Sequence, residues 1–441
     1  MSSIFTMKFI ENRENEEFLS RTFYPSTIDG IIEYEVLNIP DIKSGTIDKM
    51  QGFHWARSAI MTADSVDVPF DDSDYKILAV SPPTAINLES FKERYSYDQI
   101  FANEHVEGTM VNVFYDPRNK HWEMATKHAV CGNYWYYRTD YGKLGGVPNQ
   151  TFRSMFIEAF GSHHCSETGP KTVNEEIWLE ECLPALNDFP KEYSYSFVLQ
   201  HPNNHIVFSI KEPCVYLVAI YKIGETIQRL HPDSYESNSN EFQALYKLPI
   251  RFPQRFNASG YDDLEHQIYT RGFYMGIMLN HMESGERAVI RNNQYLFLKN
   301  IRGNHPNLQY HFFEMIKNGT LGTFQIYFHT PYYDAIFNKF WLDFYQFVEQ
   351  VHKFYVQKFI TKQLSDGIPK KYFVHIMRLH ELYKVRHNKI TLQVVMEYFM
   401  DMSPGQIMFY LDYDNRKQQK SEILEKDWVE LDVKPEESVV V

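Results

Sequence analysis

The chain has 441 residues, too many for one ordinary core, so two domains are expected. Hydrophobic residues make up 44% of it and aromatics 16%, with 31 Tyr and 33 Phe, which excludes a disordered chain. Lys and Arg number 44 against 57 Asp and Glu, a net charge of −13, which excludes a protein that coats nucleic acid through bulk charge and leaves only a local basic groove open.

The opening stretch MSSIFTMKFIENRENEEF lacks a basic segment followed by an apolar one, and the longest apolar run, around VYLVAIY, falls far short of the roughly 20 residues of a membrane span. An intracellular protein with no membrane partner is expected. Up to about residue 325, the runs YKILAVSP, GTMVNVFYD, WEMATKHAV, YSFVLQ, HIVFSI, VYLVAIYKI and AVIRNNQYLFLKN are β-branched or aromatic and bounded by Pro, Gly and Asn. They predict short strands in an α+β domain rich in antiparallel pairs. Residues 161 to 180 open with turn formers and become helical, which predicts a helix crossing between strands.

From about 331 the period changes. Ile336, Phe337, Phe340, Trp341, Phe344, Phe347, Val348, Val351 and Phe354 recur at three and four residues, the spacing of a helix with a buried face. Tyr372 to Tyr383 predicts a second helix and ITLQVVMEYFM a third, while Ser403-Pro404-Gly405-Gln406 reads as a capping box with proline at the first position of a fourth. The expected division is 1–330, a helical domain over 331–414, and a mobile acidic tail over 415–441.

Cys131, Cys165, Cys182 and Cys214 stand far apart without a C-x-x-C pair, so reduced thiols are expected. His163, His164 and Cys165 with Cys131 or Cys182 match no standard metal-site spacing and read as a polar loop. The cluster NYWYYRTDY, residues 133 to 141, offers rings beside Arg138 that could stack bases, although core packing is the better reading in so aromatic a chain.

The stretch NEHVEGTMVNVFYD, residues 103 to 116, places an acid and a glycine, Glu107 and Gly108, at the start of a strand, with His105 two residues before the acid. In covalent nucleotidyltransferases this is a K-x-D-G motif, whose lysine attacks the α-phosphorus of a nucleoside triphosphate. Around it lie HWARSAIM, ILAVSPPTAINLESF, WEMATKHAV and YSYSFVLQHPNNHIV. In that order, over most of residues 50 to 302, they resemble the RNA ligase family typified by the T-even phage tRNA-repair ligase, in the form found in large DNA viruses.

The resemblance implies a nucleotidyltransferase fold of antiparallel sheets followed by an all-helical C-terminal domain, with ATP or GTP and Mg2+ as cofactors and an RNA end as partner. It puts Arg57 and Lys127 at the phosphates, Glu107 and Gly108 at the ribose and the strand turn, and Phe197, Pro202, Asn204, Ile206 and Val207 in register with the family's F-E-x-V-x-P-x-N-R-I-V segment. SGERAVIRNNQYLFLKNI, laid on E-G-x-V-V and K-x-K, makes Glu286 the metal-associated carboxylate and Lys299 the first lysine. Departures are His105 for the nucleophilic lysine, Val198 for a glutamate, His205 for an arginine, Ser58 and Arg287 for glycines, and Ile301 for the second lysine.

Sorted by role, the residues that would bind are kept and those that serve the covalent step are lost. The resemblance therefore implies a protein of the host cytoplasm or viral factory, or of the virion, whose lysine adenylation is lost or weakened. Two rescues stay open: His105 as a phosphoramidate-forming nucleophile on a shorter stem, and Lys127 or Lys120 as a substitute amine. A scaffold that keeps only the fold is the third reading, in which Arg57 and Lys127 are surface cations and Glu286 a turn residue.

Overall fold

The computed structural model describes residues 4–6, 20–25, 32–38, 58–63, 75–133, 150–161, 178–204, 206–224, 226–236, 240–303, 305, 307–328, 331–363 and 367–418. Arg57, the 163–165 trio, nearly all of the 133–141 cluster, most of the 161–180 segment and the tail beyond 418 lie outside them. The chain divides into two compact units, the first ending at Lys299 and the second starting at Asn300. Among the described residues no helix is long and apolar enough to cross a membrane.

In chain order the first unit runs β1 (Ile4–Thr6), β2 (Ser20–Pro25), β3 (Ile32–Asn38), β4 (Ala59–Ala63), β5 (Tyr75–Val80), α1 (Leu88–Arg94), β6 (Ile100–Glu104), β7 (Thr109–Asp116) and β8 (His121–Thr126). It continues with α2 (Phe152–Ala159), α3 (Leu179–Cys182), β9 (Tyr193–Gln200), β10 (Cys214–Lys222), β11 (Thr226–Arg229), α4 (Asp233–Glu236), β12 (Ile250–Arg251), β13 (Arg255–Phe256), α5 (Tyr261–Thr270), β14 (Gly276–His281), β15 (Arg287–Arg291) and α6 (Asn293–Arg302). Three sheets result: seven strands in the order β1-β11-β10-β9-β7-β8 with β12 beside β10, and two of four strands, β13-β6-β14-β15 and β2-β3-β4-β5. All pairings are antiparallel except β10 with β12, so the α+β class expected from the strand runs is present.

Alternation sorts the faces of the central sheet. Val111, Val113, Tyr195, Phe197 and Leu217 point to one side and pack with α2, α3 and the helical turns around Leu186 and Phe242. On the other side Phe114 and Ala125 meet Ile60 and Leu78 of β4 and β5. There Asn112 donates to Ser81 Oγ at 2.7 Å and accepts from Ser196 Oγ at 2.9 Å, so these three buried side chains satisfy one another. The sheet β13-β6-β14-β15 has its own core, in which Ile100, Ile277, Leu279 and Ile290 pack with Phe91 of α1 and Leu264 and Ile268 of α5.

One expected strand is absent and another is cut short. Residues 206–208 of HIVFSI are bent, because their amide hydrogens go to a side chain, as described below. In AVIRNNQYLFLKN the strand stops at Arg291 and α6 follows, since the Asn292 side chain accepts the N–H groups of Gln294 and Tyr295 at 2.9 and 3.4 Å and so caps a helix. Cys131 and Cys214 are free thiols, but Cys182 is disulfide-bonded, so the expectation of reduced thiols fails there. Spacing along the chain did not reveal that approach in space.

The second unit holds α7 (Leu308–Lys317), α8 (Leu321–Phe328), α9 (Pro331–Tyr355), α10 (Lys370–Arg386), α11 (Leu392–Met400) and α12 (Pro404–Leu411). Helices thus begin before 331. The cause is local: Asn307 caps α7 by accepting from Tyr310 N–H at 3.0 Å, and the short run HFFEMIK hides its period among aromatics. The four later helices stand where the spacing placed them, and the Ser403–Gln406 capping box closes at the start of α12.

At the centre of this unit His375 is fully buried, 3.1 Å from Tyr398 Oη and ringed by Phe347, Phe399 and Tyr410. Burial, with Arg378 adding, lowers its pKa to about 4. The unfolded chain protonates at about 6.5, so this contribution is complete above that pH and lost as pH falls toward 4. At about 1.4 kcal/mol per tenfold, it amounts to about 3 kcal/mol. Thermal melts at pH 7 and pH 4 should show the loss, and His375→Gln should show a smaller one; an equal loss in the variant would place the acid sensitivity elsewhere, for instance at His311, which burial also lowers.

Candidate functional site

The segment His105–Gly108 is the crossover between two sheets. It leaves β6 of the four-stranded sheet and enters β7 of the seven-stranded one. His105 N–H donates to Gly276 O at 3.0 Å, so the crossover starts as an extension of the β6–β14 ladder. The His105 ring is half-buried and lies over Gly276.

Glu107 is 3% exposed, and its carboxylate is fully engaged. It accepts the backbone N–H groups of Ile206, Val207 and Phe208, at 3.3 Å, 3.0 and 3.1 Å, and 3.1 Å. Gln200 Nε2 donates to Glu107 O at 2.8 Å, and Asn204 Nδ2 donates to Thr109 Oγ1 at 2.8 Å. Residues 200, 204 and 206–208 are therefore held against 107–109 by charge-assisted and neutral hydrogen bonds. In this arrangement the Glu107 oxygens hold the loop.

Gly108 has φ +151°, in the range that favours glycine, and a Cβ there would lie 2.7 Å from Val198 Cγ1 and closer still to the Leu199 carbonyl oxygen. The register fixes that closeness, since Thr109 pairs with Leu199 and Met110 with Val198. Val198 in turn pairs with Tyr216. Val111 pairs with Thr126, the last residue of β8; Thr126 N–H then donates to Ala129 O at 2.8 Å and Ala125 bridges Val130, so Lys127 stands in the turn that follows β8. Met110, Val198 and Tyr216 thus form one row across three strands, and Lys127 lies just past the end of β8, the strand next to β7.

The other expected residues lie elsewhere. Lys120 has φ 60° in the β7–β8 turn, at the far end of β7 from Gly108, roughly 25 Å away along the strand. It cannot replace a nucleophile at position 105. Glu286 sits in the β14–β15 hairpin, at the opposite end of β14 from Gly276 and His105, a separation of roughly 17 Å. Its carboxylate accepts from Tyr95 Oη at 2.7 Å and pairs with Arg94 at 3.4 Å, which ties the hairpin to α1. Lys299 is exposed on helix α6 rather than on a strand.

Sequence reasoning missed Glu104 and Arg251. Glu104, the last residue of β6, is half-buried, and burial raises its carboxyl pKa against the opposing effect of the Gln254 N–H. Arg251 lies over the Tyr216 ring, 6.0 Å from its centre, and hydrogen-bonds its hydroxyl. The one sequence signal was the position of Glu104 next to His105. Magnesium finds no ready protein cage: Glu107 is committed, Glu286 is remote, and among the described residues no group of three or more potential ligands gathers. Among the described candidate residues, Lys127 could offer an anion a cation and His105 an imidazole.

No family model matches the chain, and no curated protein does. Among solved structures the chain is similar to an archaeal ATP-dependent RNA ligase in two forms, at 9% identity in each. Their TM-scores are 0.35 and 0.36, with 75% and 76% of this chain and 69% and 75% of the other covered. It is also similar to a point mutant of the Naegleria gruberi RNA ligase with ATP and Mn, at 10% identity and TM-score 0.32, covering 67% of this chain and 84% of that one.

Proposed function

We propose that the first unit is a nucleotidyltransferase-fold domain, of the kind large DNA viruses encode, that binds a nucleotide or an RNA end without forming the lysine adduct. The observation that carries this is the closure of 200–208 on 107–109. In support, Glu107 and Asn204 tie the loop after β9 to the start of β7, and Gly108 lets the two strands approach closely there. The changed residues are those with chemical tasks, His105 for a lysine and Val198 for a glutamate. Val198 is buried and pairs with Met110, so an apolar group stands where the family has its carboxylate.

The test is the intact mass of the protein after incubation with ATP or GTP and magnesium, beside a thermal melt. Expected are no adduct and a higher melting temperature, worth about 2.7 kcal/mol at a 100-fold excess over the dissociation constant. Lys127→Ala should abolish the rise. A covalent nucleotide on Lys127 or His105 would replace this reading with a working nucleotidyltransferase, and a melt indifferent to every nucleotide and to RNA ends would leave a scaffold.

A further inference from the structure

The second unit concentrates charge of the opposite sign to the chain as a whole. Between residues 353 and 389 there are nine lysines and arginines and two carboxylates, in a protein of net charge −13. Of these nine, among the described residues, only Lys371 forms an ion pair, with Asp414 at 2.6 Å. Lys353, Lys362, Lys370, Lys384, Arg386 and Lys389 are exposed. So many uncompensated cations on one hairpin raise the potential of a polyanion site.

Rings are presented with them. After α9 comes a π-helical turn, Val356–Ile360, a geometry that is rare and frequent at functional sites. It holds Lys358 Nζ 4.9 Å from the centre of Phe373 and 5.6 Å from that of Phe359. Phe359 stacks on His380 with centres 3.7 Å and planes 4° apart, and His380 continues to Tyr383 at 5.9 Å and 19°. Phe373, Met377, His380 and Lys384 follow at steps of four, three and four residues, one face of α10. Phe373 and Tyr383 stay 45% and 42% exposed, more than a core role requires.

We propose that this face, from the π-helical turn across α10, binds single-stranded nucleic acid, with Lys358 and Lys384 on phosphates and Phe373 and Tyr383 against bases. An acidic protein segment would answer the lysines but leave the exposed rings unused, whereas bases offer a flat partner to each. The inference goes beyond the nucleotide site and stands on other residues, so either can fail alone.

The experiment is fluorescence anisotropy of a labelled twelve-nucleotide oligouridylate titrated with the full chain at several salt concentrations. Binding should weaken with salt. The pair Lys358→Ala and Lys384→Ala should cost about tenfold and flatten the salt slope by about 1.4, two contacts at about 0.7 each. Phe373→Ala with Tyr383→Ala should also cost about tenfold and leave the slope unchanged. The arginine versions of both lysines should retain binding, and unchanged melting temperatures certify the fold of each variant. No binding by the wild-type chain, or binding indifferent to the lysine pair, overturns the proposal. So does competition by polyglutamate as effective as by RNA with no effect of the ring variants, which would assign the face to an acidic protein.

Discussion

Glu107→Ala is expected to lower the melting temperature of the first unit by on the order of 10 °C with no nucleotide present. The substitution deprives the N–H groups of Ile206, Val207 and Phe208 of their acceptor in a half-buried stretch. A hydrogen bond to a charged group is worth about 1.5–3 kcal/mol, and water can replace part of what is lost, so a net loss of about 3 kcal/mol follows. At about 2–4 °C per kcal/mol for a domain of this class, that gives the stated shift. Glu107→Gln should fall between, since its amide keeps one acceptor and turns a donor toward donors. Were Glu107 only a ribose contact, the unliganded melt would not move and nucleotide binding alone would suffer. Differential scanning calorimetry of the two variants separates these outcomes.

Gly108→Ala should be more damaging still. The backbone there has φ +151°, which an alanine adopts at a cost, and the added methyl would lie 2.7 Å from Val198 Cγ1. It would also press on the Leu199 carbonyl, a backbone atom held by the β7–β9 ladder, so no side-chain rotation relieves the clash. Either the crossover moves away from β9, and the Glu107 hydrogen bonds break with it, or β7 and β9 change register. A loss above about 4 kcal/mol or an insoluble first unit is the expected outcome, read by soluble yield and by the melt of whatever folds. A variant that melts like the parent would show that the crossover is loose, and the proposed pocket would lose its frame. Val198→Ala should partly restore Gly108→Ala by removing the nearer side-chain clash while leaving the backbone one.

The strands that carry the site were legible because their residues report their own surroundings. GTMVNVFYD, YSYSFVLQ and VYLVAIYKI alternate or run apolar between turn formers, and β7, β9 and β10 occupy those places. HIVFSI has the same composition and is not a strand, because its amide hydrogens are taken by a carboxylate about a hundred residues earlier. No local pattern encodes that pairing. Lys299 was misplaced for the opposite reason: the decisive signal, Asn292 as a helix cap, is local but weak beside a run of apolar residues. Of the candidate residues, His105, Glu107 and Gly108 share the crossover, and Lys127 follows β8, the strand next to β7. Glu286 and Lys120 stand apart from the crossover, because distance along a strand is invisible in a motif.

The clasp between Glu107 and the 206–208 backbone also bears on how the chain acquires this site. Its two halves are about a hundred residues apart, so the loop that closes between them is long and the contact forms only after much of the central sheet has paired. No fragment ending before Phe208 can contain the pocket, however well its own strands fold. Amide protons of 206–208, although outside any sheet, should exchange slowly, in step with the ladder of β9 rather than with neighbouring turns. The irregular loop is thereby made part of the most cooperative portion of the unit, and the pocket matures last, as a single event, when the second half of the sheet arrives.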